Sequence, residues 1–306
     1  MTDPLDVTRR RFLQTTGTAL TAGAVWSLTE RTAVAAEAKA GGHRLRKAVK
    51  YTMVRGKMSV LEKFQLLKRI GFEGVDINTR LDHRAVQDAR DKSGLIVHGV
   101  VGYDHWRKPL SDPDANVRAA GLESLKGALR DSKAYGGTTV LLVPGKVTKQ
   151  VSYADAYTRS QAEIRKAIPL AEKLGIRILI ENVWNNFLLS PLELARYIDE
   201  FDSPMIGSYF DIGNVVRYGW PDQWIRILGK RIGKVDIKAY SRKLQFSKGP
   251  GAGFHVKLGD GDIDWSAVMK ALDDIGYHGW ATAEVPGGNA DRLSDISQRM
   301  DRVFAR

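Results

Sequence analysis

The chain has 306 residues, is 43% hydrophobic and contains no cysteine. That leaves room for one large domain or two small ones with a sizeable core, and it excludes disulfides, thiolate metal sites and cysteine nucleophiles. A formal charge of +12 marks some nucleic-acid binders, but here the basic residues are spread thinly rather than gathered in aromatic-laced patches, so no nucleic-acid partner is expected.

In chain order, the first segment does not read as part of the fold. Residues 8–14, TRRRFLQ, set adjacent arginines before Phe12 and Leu13. The mild apolar run TGTALTAGAVWSL follows, then small residues with an Ala33-x-Ala35 cleavage pattern. This order resembles a twin-arginine export signal. A stable span needs about 20 apolar residues, more than the run supplies, so no membrane span is expected. The expectation is a signal over 1–35, a mature chain starting near Ala36, the twin-arginine export machinery as a partner, and a periplasmic or otherwise exported location. Four basic and three acidic residues leave with the signal, and the body keeps a charge of +11. Export in the folded state suits an enzyme loaded with its metal beforehand.

Beyond the signal, short apolar runs alternate with longer stretches of helical periodicity. Strands are expected at 47–54, 74–78, 95–101, 138–145, 177–183, 207–214, 234–240 and 279–285. Helices are expected at 59–71, 84–94, 114–136, 153–175, 190–201, 221–233, 264–276 and 293–304. Gly71, Gly94, Gly136, Gly175 and Gly276 close helical patterns, Pro191 and Pro221 open them, and Ser190 and Asp264 suit caps. Eight βα units in about 250 residues point to a closed parallel (β/α)8 TIM barrel, a single domain over 36–306. The first βα turn lacks a Gly-x-Gly-x-x-Gly pattern, which counts against a dinucleotide-binding open sheet.

In such a barrel, chemistry gathers at the C-terminal ends of the strands. The second run ends on Asp76 and Asn78, the third holds His98, the fifth ends on Glu181 and Asn182, and the sixth on Asp211 and Asn214. The seventh, KVDIKAY, puts Asp236 and Lys238 on one face by period two, where charge is costly without a partner. The eighth ends on Glu284. Four carboxylates, Glu181, Asp211, Asp236 and Glu284, thus close strands five to eight and would repel strongly in one arc. A divalent cation resolves this, and oxygen ligands favour ions such as Mn²⁺, Mg²⁺ or Ca²⁺.

At ILIEN (178–182), FDIGN (210–214), KVDIK (234–238), LGDGDIDW (258–265) and the glutamate of ATAEV (281–285), the sequence resembles the xylose-isomerase-like sugar isomerases and epimerases, including the ketose 3-epimerases. The resemblance covers about residues 45–304. It implies a metal, Mn²⁺ or Mg²⁺, held by Glu181, Asp211, Glu284 and a histidine ending strand seven. Here that last position is Asp236. It implies a substrate-binding histidine where this chain has Asn214, and a substrate-binding arginine that falls on Arg242.

The chemistry of the residues agrees. A cation on adjacent carbonyl and hydroxyl oxygens eases removal of the proton alpha to the carbonyl, and Glu181 and Glu284 could exchange protons on opposite faces of a sugar. The same constellation serves a sugar epimerase or isomerase, or β-elimination from an exported 3-keto-glycoside; a non-catalytic metal- or sugar-binding barrel is the remaining alternative. Abasic-site endonucleases of related shape use histidine-rich metal clusters, and this chain has six histidines in all. Substrate contacts are expected from Lys238, as an oxyanion partner or ion pair, from His98, and from Trp184 stacking on a sugar face. His105 and Trp106 suit a pocket wall. His255 lies in the Gly-rich KGPGAGFHVKLG, expected to be a mobile lid. The acids of GDGDIDW suggest a calcium loop or, more simply, a helix cap. The expected partner is a small carbohydrate, free rather than phosphorylated if the chain is exported, and the reading allows a homo-oligomer.

Overall fold

A parallel strand inside a barrel has one parity facing the helices and the other facing the barrel axis. The structure, a computed structural model, describes residues 45–306; the export signal, its cleavage site and the first residues of the expected domain lie outside the described residues. Eight strands form: β1 (Arg46–Lys50), β2 (Gly74–Ile77), β3 (Ile96–Val101), β4 (Thr139–Leu142), β5 (Arg177–Glu181), β6 (Ile206–Asp211), β7 (Ile232–Ile237) and β8 (Trp280–Ala283). They pair in parallel in sequence order, and β1 closes on β8. This is the expected (β/α)8 barrel.

Around it run α1 (Val60–Ile70), α2 (His83–Ser93), α3 (Ala115–Tyr135), α4 (Tyr153–Arg165), α5 (Ile168–Leu174), α6 (Pro191–Asp199), α7 (Ile212–Val215), α8 (Pro221–Leu228), α9 (Arg242–Lys248), α10 (Trp265–Asp274) and α11 (Ala290–Phe304). Local chemistry sets their ends. Ser59 and Glu62 form a reciprocal capping box on α1. Ser190 accepts from the Glu193 amide and Asp264 from that of Ala267, as their positions suggested. The five expected closing glycines all take left-handed backbone, φ from +66° to +98°, which a side chain would disfavour. Among the described residues no helix is long and apolar enough to cross a membrane.

Three expectations change. The helix expected over 153–175 is two, α4 and α5, because Pro169 lacks the N–H that would continue the first ladder. The helix expected over 221–233 stops at Leu228, and Ile232 already belongs to β7. All the strands but β3 end earlier than expected, so Lys238 stands one residue past β7. The short helices α7 and α9, at the mouth of the barrel, were not expected.

The parity rule then sorts the core. Val49, Val75, Ile77, Val140, Leu142, Ile178, Ile180, Phe210, Val235 and Ile237 join the large apolar core shared with the helices. Burial of each such side chain contributes about 1.5–3 kcal/mol. The opposite parity faces the axis. On one side of it Leu141, Leu179 and Tyr209 pack together with Val101. On the other stands a buried polar set: Lys50, Asp76, His98, Lys234, Asp236 and Thr282.

This set is wired. The Lys50 ammonium lies 3.0 Å from Asp76 Oδ2 and 3.0 Å from Asp236 Oδ2. Tyr209 donates to Asp76 Oδ2 at 2.9 Å and lies 3.0 Å from Thr282 Oγ1, which in turn is 3.3 Å from His98 Nε2. Lys234 Nζ is 2.8 Å from His98 Nδ1 and donates to the His98 carbonyl. Burial opposes the Asp76 charge, yet Lys50, His98 and Lys234 hold its carboxyl down to about 2. Removing one partner of a buried ion pair costs about 3–5 kcal/mol. Lys50→Met should therefore lower stability by about that much in urea unfolding, and a loss below about 1 kcal/mol would show that Asp76 and Asp236 do not depend on it.

Candidate active site

The strands deliver four carboxylates to one end of the barrel. Glu181 and Asp211 are the last residues of β5 and β6, and Asp236 is the last but one of β7. Glu284 follows β8 directly, its amide donating to the Ile237 carbonyl at 3.1 Å. Asp211 and Asp236 are register partners across β6 and β7. One oxygen from each of the four lies within 4.8 Å of the others. Asp211, Asp236 and Glu181 are buried, whereas the Glu284 side chain is 37% exposed and marks the open side.

Two like charges about 4 Å apart repel by about 4 kcal/mol at an effective dielectric near 20, so this arrangement requires cations. Lys50 meets Asp236 from inside the barrel. From the loop side, Lys238 Nζ lies 2.7 Å from Asp211 Oδ2 and 2.7 Å from Glu284 Oε2. The balance differs between the two glutamates. Burial and the adjacent Glu284 push the Glu181 carboxyl well above the usual carboxylate range. At Glu284 burial is outweighed by Lys238 and Lys50, which hold it below that range. A glutamate favouring its acid form thus stands beside one favouring its base form, the pattern of an acid–base pair.

Asparagines fix the frame. Asn182 Nδ2 donates to the Asp211 carbonyl at 2.8 Å, and the Asp211 amide donates to Asn182 Oδ1 at 2.8 Å, tying β5 to β6 just where both carboxylates emerge. Asp211 Oδ1 accepts from the Asn214 amide at 2.7 Å and so caps α7. Asn214 Nδ2 reaches the Asn182 carbonyl at 3.0 Å and Glu181 Oε1 at 3.5 Å, and its Oδ1 lies 3.3 Å from Lys238 Nζ.

Residues 64–303 match the family described as xylose isomerase-like TIM barrels. The chain belongs to this family. It is 25% identical over 260 residues to an L-ribulose-5-phosphate 3-epimerase of Escherichia coli, covering 80% of this chain and 89% of that one. Among solved structures, an L-ribulose 3-epimerase superposes with a TM-score of 0.73 at 17% identity, over 86% of this chain and 95% of its own. The 3-keto-D-glucoside 4-epimerase of Escherichia coli gives 0.73 at 18% identity, over 86% and 100%. A D-allulose 3-epimerase of a Methylomonas species gives 0.70 at 20%, over 86% and 99%.

Within this family barrel, some expected substrate residues gather at the carboxylates and others do not. Lys238 and Asn214 do. Trp184 stands beside them, donating to the Asn214 carbonyl at 2.9 Å. It packs against Phe254 with ring centroids 4.9 Å apart, and Arg217 covers its ring at 4.8 Å. His98 is a correction: it sits in mid-strand, bonded to Lys234 and stacked on Trp280 at 4.6 Å, inside the barrel rather than at its mouth. Arg242 is another. Its guanidinium is spent on the carbonyls of Val216 and Gly219, at 2.9 and 2.7 Å, and lies over Trp220, so it clamps the loop after α7. His255 is exposed at the end of a 3-10 turn, and it is Phe254, one residue before, whose ring approaches Lys238 Nζ at 5.6 Å.

The Gly-rich segment expected to be a mobile lid is a folded turn held on Tyr240, which donates to Gln245 Oε1 at 2.6 Å and to the Pro250 carbonyl at 3.0 Å. His105 accepts from the Val143 amide at 3.3 Å, and Trp106 is exposed. In GDGDIDW, Asp264 is the helix cap, while Asp262 accepts from the Arg242 amide at 2.7 Å and Asp260 pairs with Arg299 at 3.4 Å. Sequence reasoning missed Lys50 and Phe254. Lys50 was detectable, since it alternates with Val49 in an expected strand; Phe254 carries no signal beyond its glycine neighbours.

The donor set fits a hard divalent cation. It is all oxygen, it converges, and Asp236 Oδ1 is fully buried with no hydrogen-bond partner. Residues that orient metal ligands are worth about 10–100-fold in affinity. Asn182→Ala should therefore weaken Mn²⁺ binding by about that factor in a titration followed by electron paramagnetic resonance. Wild-type affinity in the variant would show that the β5–β6 tie does not position Asp211.

Proposed function

We propose that the chain is a sugar epimerase or isomerase that moves a proton at a carbon alpha to a carbonyl, acting on a free ketose or keto-glycoside with a divalent cation, Mn²⁺ or Mg²⁺. The observation that carries this is the convergence of Glu181, Asp211, Asp236 and Glu284 at the barrel mouth, one oxygen of each within 4.8 Å of the others. The sugar-epimerase names of the relatives reported above support this reading.

Glu181, Asp211, Asp236 and Glu284 would hold the ion, whose contribution when bound is to polarise a carbonyl and its neighbouring hydroxyl. The protein's own groups do the rest. The ionised glutamate takes the C–H proton, and the electron pair moves into the enediolate. The protonated glutamate returns a proton to the other face of the same carbon, which epimerises it, or to the adjacent carbon, which isomerises the sugar. Trp184 and Phe254 offer an aromatic wall against which a sugar ring can lie, and Asn214 a buried amide for a hydroxyl.

The same proton abstraction opens β-elimination from a 3-keto-glycoside, with the glycosidic oxygen as leaving group. Export, inferred from the twin-arginine pattern at 8–14, would favour free sugars and glycosides over phosphate esters, which are mainly intracellular.

General acid–base groups are worth about 10²–10⁴-fold in rate. With ketoses and 3-keto-glycosides in deuterated water, the wild-type protein should place deuterium alpha to a carbonyl, and Glu181→Gln and Glu284→Gln should each lose at least about 100-fold in that rate. Full exchange in either variant contradicts the two-glutamate reaction. An ion-loaded wild type that exchanges none of these substrates would instead favour a binding protein.

A further inference from the structure

Lys238 already pairs with two of the four carboxylates that would hold the ion of the proposed reaction. Its ammonium lies 2.7 Å from Asp211 Oδ2 and 2.7 Å from Glu284 Oε2, and both carboxylates belong to the four that converge within 4.8 Å. Oxygen-bound Mg²⁺ and Ca²⁺ sit about 2.0–2.6 Å from their ligands, so an ion and this ammonium would claim the same lone pairs and repel each other at close range. The stem of Lys238 cannot simply shift sideways. A Cβ at Gly213 would fall 2.4 Å from Lys238 Cβ, so α7 already lies against the root of the side chain. Only its outer atoms have somewhere to go. Asn214 Oδ1, 3.3 Å from Nζ, and the Phe254 ring, 5.6 Å away, offer a second seat beside the first.

We infer that Lys238 is a resident cation: its ammonium neutralises Asp211 and Glu284 until a divalent ion loads, and loading displaces it toward Asn214 and Phe254. This rests on the reading that the four carboxylates take a divalent ion. It gives the ammonium two duties, as placeholder in the empty cluster and as a cation on the substrate side of the filled one. In the second seat it would face the oxygens of a bound sugar, where a negative charge develops during proton abstraction. Lys50 takes no part in the exchange, because it is held between Asp76 and Asp236 inside the barrel.

The test compares Mn²⁺ affinity in wild type, Lys238→Met and Lys238→Gln by electron paramagnetic resonance titration at fixed ionic strength. Removal of the competitor should tighten binding at least tenfold, about 1.4 kcal/mol. Equal or weaker affinity in both variants, with wild type still binding, overturns the inference and leaves the metal reading standing. No binding by wild type or variant removes both. Should the variants fold only when Mn²⁺ is added, that dependence itself supports the placeholder role. A second measurement needs no variant: acetylation of wild-type lysines by an N-hydroxysuccinimide ester, mapped by peptide mass spectrometry. Lys238 should react several-fold faster with Mn²⁺ than with EDTA, and an unchanged rate overturns the inference.

Discussion

A carboxylate inside a closed barrel has little water to turn to, and this protein gathers five of them around the Lys50 ammonium: Asp76, Asp236, Asp211, Glu181 and Glu284. Lys50 holds the lower pair at 3.0 Å each, and Lys238 holds two of the upper oxygens at 2.7 Å each. The remaining geometry serves this balance. Apolar residues of the opposite parity bind the strands to the helices, Leu141, Leu179 and Tyr209 close the other side of the axis, and the Asn182–Asp211 exchange fixes where two of the acids emerge. A buried charge that keeps only part of its compensation is held ready for a further cation or for a proton, and the mouth of this barrel offers both chemistries.

That balance also explains Asp236. The family resemblance places a histidine at the end of strand seven, and an aspartate there adds a negative charge to an acidic cluster. The structure answers with Lys50, whose ammonium bridges Asp236 and Asp76. The extra charge is met from below, inside the barrel, and Asp236 Oδ1 is left buried without a hydrogen-bond partner. Asp236 and Lys50 form one unit spread over β7 and β1, 186 residues apart in the chain by their numbers, and no local pattern in the sequence joins them.

Much of the architecture was legible because its causes are local. Short apolar runs mark all eight strands, and glycines such as Gly71 and Gly136 close helices through their own backbone freedom. The four carboxylates were legible for the same reason, since each closes a strand. What escaped depends on depth and on chain reversal. His98 shares the polar parity of β3 but lies in mid-strand, so it meets Lys234 and Trp280 rather than a substrate. Arg242 follows β7 at a suggestive spacing, yet the chain turns there into α9 and the guanidinium swings to the Val216 and Gly219 carbonyls. The segment around His255 folds back on Tyr240 through contacts with no sequence signature, and that fold sets Phe254 instead of His255 near Lys238.

The central claim is that the four carboxylates form a cation site whose charge is shared with Lys238. Anomalous diffraction from crystals soaked in Mn²⁺, collected at the manganese edge, tests it most directly. The account predicts one strong peak bounded by Glu181, Asp211, Asp236 and Glu284, with the Lys238 ammonium turned away from Asp211 and Glu284. A peak elsewhere, or none with Lys238 still between those two carboxylates, would contradict it.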